Sequence, residues 1–269
     1  MNPGECEKKD RFPTPENGDG IAAHSIEAFL NRLSDLCEAD DAGIGHDRPG
    51  RAKAEAKQAA SVAREFGILK QESESWAEFC QANQDLHFGT EHAVELDPAS
   101  SRMVKLTKPP GFGLTPAVVR HPVVNLRNDP DLPTHRHVIE FAWATPIEYL
   151  TRWADANAVF GDSVHLAAVV QWPDESVSFV ITQPQYHGYP ATTPEIGDYF
   201  KRFGWQPIRD PGGQHEIFYH YGYGVMAIDA LPRNCYFHRS ELLPFDVILC
   251  RPTPEMEAFL KLYPDSVMP

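Results

Sequence analysis

Residues 225 to 249, VMAIDALPRNCYFHRSELLPFDVIL, set three oxygen-bearing side chains against apolar runs: Asp229 closes the first run, Asn234 follows it, and Asp246 interrupts the second. Carboxylates at the ends of buried strands require something positive between them, because burying an unpaired charge is costly. Phosphoryl transfer from ATP needs these parts: a carboxylate to orient the acceptor and take its proton, oxygen ligands for Mg²⁺, and a lysine on the nucleotide phosphates. The Asp-x-x-x-x-Asn spacing lets one tight loop present the base and a metal ligand to the same γ-phosphate. Mg²⁺ keeps several waters, so Asn234 and Asp246 with phosphate oxygens suffice as its ligands.

Upstream, Lys105 lies inside the strand-like MVKL, where alternation directs it with Met103 into a cleft. Glu148, at the start of the next helical stretch, is the candidate that would hold it, and Asp155 and Asp162 compete for that role. Gly89 in HFGTEHAV allows a close backbone approach to phosphates. Each residue also has a plain structural reading. Asp229 and Asn234 suit a turn, Lys105 can snorkel from a strand edge, and Glu148 favours a helix start through the macrodipole. His135, His137 and His215 have no third ligand at metal-binding spacing, and Phe218, Tyr219, Tyr221 and Tyr223 alternate as one face of a sheet.

Composition narrows the classes. The formal charge of −14 opposes phosphate backbones, which argues against a nucleic-acid partner. No apolar run approaches the ~18 residues that span a bilayer, so no membrane partner is expected, and MNPGECEKKDRFP lacks the core of a signal peptide. A cytoplasmic location follows as an expectation. Cys6, Cys37, Cys80, Cys235 and Cys250 are dispersed and form no C-x-x-C pair, so neither a disulfide framework nor a zinc site is expected.

These side chains must be positioned by a mixed set of elements. Residues 1–23 are polar and rich in Pro and Gly, a tail composition. A helix begins at the N-cap Ser25, with Ile26, Phe29, Leu30, Leu33 and Leu36 at helical spacing. A second runs over 51–66 before Gly67, and a short one surrounds Trp76 and Phe79. The period then changes to two over 87–97 and 101–108, joined by the turn DPAS. Residues 109–137, with many prolines, are expected to be an irregular insertion. A helix over 146–159, the strand pair HLAAVVQW and SVSFVITQ, the helix PEIGDYFKRFG and the strands EIFYHYG, VMAID and FDVIL complete an α+β order.

At GTEHAVEL with VKLTKP, TPIEYLTRWADANAVFGD, FVITQPQYHGYPATTPEIGDYFKRFGW and IDALPRN with LPFDVIL, the sequence resembles a known family. This is the kinase-like domain of the large polyvalent proteins of phages and mobile elements, distantly related to protein kinases and aminoglycoside phosphotransferases. The resemblance implies a two-lobed protein-kinase-like fold with a reduced C-terminal lobe and a helical N-terminal extension. Its parts are a tail at 1–23, the extension at 24–80 and the kinase-like domain at 81–269. The small lobe is expected at about 81–182, a hinge at about 183–187 and the large lobe at about 188–269. It further implies ATP and Mg²⁺ as cofactors, Gln183, Gln185 and Tyr186 at the adenine, Lys105 on the phosphates with Glu148 behind it, Asp229 as base, and Asn234 and Asp246 on the metal. The sequence departs from the pattern in having Gly89 alone for a glycine loop, Ala227-Ile228 before Asp229, and Val247-Ile248 after Asp246. The expected activity is transfer of the γ-phosphate to a hydroxyl of a protein or small-molecule acceptor. The alternatives are nucleotide binding without turnover, with a protein partner on the N-terminal helices, and nucleotidyl transfer.

Overall fold

The computed structural model of the protein describes residues 25–39, 47–123 and 134–263. The tail at 1–23, Cys6, most of the loop after the first helix and part of the Pro-rich stretch lie outside the described residues.

Along the chain the elements are α1 (Ile26–Ala39), α2 (Arg48–Glu65), β1 (Leu69–Gln71), α3 (Trp76–Ala82), β2 (His87–Phe88), β3 (His92–Asp97) and β4 (Arg102–Thr107). Next come β5 (Leu114–Pro122), β6 (His135–Trp143), α4 (Pro146–Phe160), β7 (His165–Gln171), β8 (Val177–Pro184), β9 (Tyr189–Pro190) and α5 (Thr193–Arg202). The last stretch holds β10 (Gln206–Arg209), β11 (Glu216–His220), β12 (Val225–Ile228), a 3-10 turn (Pro232–Asn234), β13 (Cys235–His238), β14 (Glu241–Pro244), β15 (Ile248–Cys250) and α6 (Pro254–Leu260). The class is α+β. No described helix is long and apolar enough to cross a membrane.

Two compact units result. The first comprises the described residues up to Gly113 with Ala144–Leu150 and Ser163–Gln185; the second comprises Leu114–Trp143, Thr151–Asp162 and the described residues from Tyr186 onward. The last crossing between the units lies between Gln185 and Tyr186.

The first unit is built on a six-stranded sheet in the order β1-β7-β8-β4-β3-β2. One face buries Ala93, Val104, Leu106, Val170 and Val180 against Phe79 of α3 and Trp172. Strand alternation puts Phe179 on the other face, where its ring meets Phe29 of α1, Phe112 and Tyr149 of α4. Fully burying side chains of this size stabilises by roughly 1.5–3 kcal/mol each. The periodicity of α1 explains its place: Ile26, Phe29, Leu33 and Cys37 form its buried stripe, and the Ser25 hydroxyl accepts the Ala28 amide at its start. Asp47 caps α2 by accepting the Gly50 amide, so that helix begins three residues before the expected one. Gly67, at φ 70°, ends it in the left-handed turn that glycine enters without strain. The segment read as an extension is therefore part of this unit, contributing β1 as a parallel strand on β7.

The second unit contains a four-stranded sheet, β10-β11-β12-β15, a three-stranded sheet, β14-β13-β9, and the β5–β6 ribbon. Its core joins Ile139, Ile217, Tyr219, Met226, Ile228 and Ile248 to Met256 and Leu260 of α6. The ribbon corrects the expectation of an irregular insertion over 109–137: β5 and β6 pair from Leu114↔Trp143 to Pro122↔His135. Each strand of a two-stranded ribbon has an outward edge, where the missing amides of Pro116 and Pro122 sacrifice no ladder bond. The chain also does not close on strands, because α6 follows β15, its start capped by Thr253.

Candidate functional site

In the second unit, β12 is buried along its whole length and delivers Asp229 at its end. Asp229 has φ 62°, a left-handed conformation that Asp tolerates better than most residues. The turn that follows explains the five-residue spacing. The Leu231 amide donates to the Asp229 carbonyl at 2.9 Å, and the Asn234 amide donates to the Leu231 carbonyl at 2.8 Å. Asn234 thereby reaches back, its Nδ2 donating to the Asp229 carbonyl at 2.8 Å and to Oδ2 at 2.7 Å. Arg233 Nη2 donates to Oδ1 at 2.7 Å.

The β13–β14 hairpin then returns the chain to the same place. Cys235 pairs with Pro244, and the Phe245 amide donates to the Asn234 carbonyl at 3.0 Å, so Asp246 comes back beside the turn it left twelve residues earlier. Its side chain is 37% exposed, whereas that of the neighbouring Arg152 is 2% exposed. Arg152 Nη2 donates to the Asp246 carbonyl at 3.3 Å and lies 3.6 Å from Oδ1. The Phe245 ring packs between Tyr236 and Tyr186, and the Tyr186 hydroxyl donates to Asp162. Tyr186, Asp229, Asn234 and Asp246 are thus linked in one neighbourhood. Burial, followed by the charge of Asp229, pushes the Cys235 thiol up to about 12.

The side-chain donors at this turn are hard oxygens. The amide nitrogen of Asn234 is spent on Asp229, while its oxygen accepts no hydrogen bond from the described residues. The Asp246 side chain, 37% exposed, is the other oxygen donor brought to this turn. Among the described residues no cluster of three or more His, Cys, Asp or Glu is placed to hold a metal.

The other candidates lie in the first unit. Lys105 is buried in β4 between Val94 of β3 and Ile181 of β8, and it shares its sheet face with Met103, Ile181 and the buried Gln183. The Gln185 amide donates to the Ser101 carbonyl at 3.2 Å. Glu148 differs from its expected role. Its carboxylate pairs with Arg48 at 2.6 Å and Arg51 at 2.9 Å of α2, rather than with Lys105, and it accepts the Thr145 amide at 2.9 Å. A glutamate in the first turn of α4 satisfies that helix's own open donors, and two guanidiniums complete its shell. Buried Glu55 assists by accepting the Ile147 amide, and burial raises its pKa. At Gly89 the amide donates to the His92 carbonyl and the carbonyl accepts from Lys108 Nζ. A Cβ there would meet His92 O at 3.7 Å, so nothing among the described residues demands glycine.

Asp155, the alternative to Glu148, binds Arg251 at 2.7 Å. His135 contacts Arg120 and Thr134, and His215 reaches the Ile139 carbonyl. Phe218 and Tyr219 are buried while Tyr221 and Tyr223 are about half exposed. Sequence reasoning passed over Arg152; the available signal was an arginine next to Trp153 on the apolar side of a helix. No protein-family model, curated protein or solved structure matches the chain.

Proposed function

We propose that the protein is an ATP- and Mg²⁺-dependent phosphotransferase of protein-kinase-like build that transfers the γ-phosphate to a hydroxyl acceptor. The observation that carries this reading is the Asp229–Asn234 turn joined by the β13–β14 hairpin to Asp246, because it gathers two carboxylates and an amide oxygen. The order of the parts adds support: a buried lysine on a strand beside the one leading to Gln183–Tyr186, then a turn, a hairpin and an aspartate. In this reading Asp229 orients the acceptor hydroxyl and takes its proton as the oxygen–phosphorus bond forms and the bond to ADP breaks. Asn234 and Asp246 hold Mg²⁺, which neutralises charge on the phosphates when bound. Lys105 binds the α- and β-phosphates, and Gln183, Gln185 and Tyr186 receive adenine. Glu148 has no part in it.

Melting the protein with ATP, with and without Mg²⁺, tests this, beside Asp246→Ala. A Mg²⁺-dependent rise in Tm that the variant loses is expected, since a ligand stabilises the state it binds. No rise in the unaltered protein overturns the reading. A second reading, nucleotide binding without turnover, is favoured by both Asp229 oxygens being engaged, one by Arg233 and one by Asn234. It predicts the same rise in Tm with no label passing from γ-labelled ATP to protein, added hydroxyl compounds or water.

A further inference from the structure

The six-stranded sheet of the first unit ends in β1, whose only strand partner among the described residues is β7. The pairing is parallel, and two bonds fix its phase: the Val169 amide donates to the Ile68 carbonyl and the Glu72 amide donates to the Gln171 carbonyl, each at 3.0 Å. Along a strand, alternate residues turn their main-chain groups to opposite sides. Residues 68, 70 and 72 therefore face β7. Leu69 and Gln71 turn their N–H and C=O outward, to an edge that no described strand covers.

That edge is one wall of a groove. Arg64 from the last turn of α2, Gly67, Leu69 and Gln71 line a cavity of about 270 Å³. The two β1 residues in the lining are the two with outward main-chain groups. Gly67 keeps the space open, since a Cβ on it would meet nothing within 4 Å. Arg64 is exposed, and Glu65 beside it is drawn away to Arg32 of α1 at 2.9 Å, so no described carboxylate pairs with the Arg64 guanidinium. Past the other end of β1 the chain runs through the exposed Glu72 and Glu74. An open strand edge thus has a positive charge at its start and negative charge beyond its end.

From these features we infer that the groove docks the carboxyl-terminal segment of another polypeptide, added to β1 as an antiparallel strand. An antiparallel neighbour finishes where β1 starts, which brings its terminal carboxylate to Arg64, a side chain able to bind it through two donors. A basic residue further back in the same segment then lies against Glu72 and Glu74. A parallel neighbour would bring its carboxylate to those glutamates instead, which like charge opposes. The inference is independent of the phosphotransfer reading.

The test is fluorescence anisotropy of the full chain with a short peptide of alternating threonine and valine, labelled at its amino end, with a lysine first and a free carboxyl end. The same peptide with an amidated end is measured beside it. Amidation should weaken binding about tenfold or more, the size of a hydrogen bond to a charged group. Arg64→Met should weaken the free-carboxyl peptide by a similar factor and leave the amidated one unchanged. Gln71→Pro deletes one outward amide without touching the ladder to β7, so it should abolish binding of both peptides with little change in Tm. Equal binding of the two peptides overturns the inference, as does unchanged binding in Gln71→Pro. Should Gln71→Pro fail to fold, Arg64→Met decides by the ratio of the two affinities. No binding of either peptide also overturns it and leaves β1 as an edge protected by its shortness and Lys70. A rise in mass with protein concentration that Gln71→Pro abolishes would make a second copy the occupant, and overturns it too.

Discussion

The two units treat their polar candidates in opposite ways. In the first, Glu148 is consumed by the fold: two arginines and a backbone amide occupy its carboxylate. In the second, the Asn234 nitrogen donates to Asp229 while its oxygen accepts no hydrogen bond from the described residues, and the Asp246 side chain is 37% exposed beside a buried arginine. Residue type and spacing looked equally suggestive in both places. What separates them is that two arginines and an amide enclose the Glu148 carboxylate, whereas the Asp246 side chain stays 37% exposed.

The largest expected effect tests the open half of that contrast. Asp246→Ala should reduce γ-phosphate transfer by roughly 100-fold or more, the size seen when a group stabilising charge in the transition state is removed, as measured by label transfer from ATP. Glu148→Gln tests the closed half. It should cost about 1 kcal/mol in urea denaturation, since partly exposed charge pairs contribute modestly, and should leave transfer unaltered. The reverse result, unchanged stability with lost transfer, would return Glu148 to the lysine.

A smaller effect should appear with pH at Glu55. Its folded pKa lies above the ordinary carboxylate value of 4.5, so the folded state holds the proton more tightly than the unfolded chain does. Stability from this group is full below 4.5 and is lost as pH rises through the folded value. Glu55→Gln keeps an acceptor for the Ile147 amide without the charge, so the difference in denaturation midpoint between variant and unaltered protein should move in the variant's favour as pH rises from 4.5 to 7. Smallest of all, Gly89→Ala should change stability by less than about 0.5 kcal/mol, because the added methyl meets only ordinary contact. A marked loss of nucleotide-induced stabilisation there would show that glycine serves the phosphates.

Much of the fold was legible because its elements carry clean periods. The stripe Ile26, Phe29 and Leu33 and the alternation through Val104 and Leu106 are readable without coordinates. The ribbon of β5 and β6 was not, because Pro116 and Pro122 count against a strand unless its pairing is known to leave an edge free. The Asp229–Asn234–Asp246 grouping was legible from local spacing, since a turn and a hairpin are short-range devices. The partners of Glu148 were not: Arg48 and Arg51 lie 100 and 97 residues upstream, and no local pattern encodes such a meeting. Arg152 escaped notice for the same reason, its carbonyl acceptor lying 94 residues away.

Cys235 follows Asn234 directly and is fully buried, with its thiol pushed up to about 12. At neutral pH almost none of it is the thiolate that alkylating reagents attack. Modification of this buried thiol is expected to act as a clock for opening of the β13–β14 hairpin, readable by mass spectrometry against the partly exposed Cys80 of the other unit. If a nucleotide and its metal close over this hairpin, they should slow that clock while leaving the labelling of Cys80 unchanged.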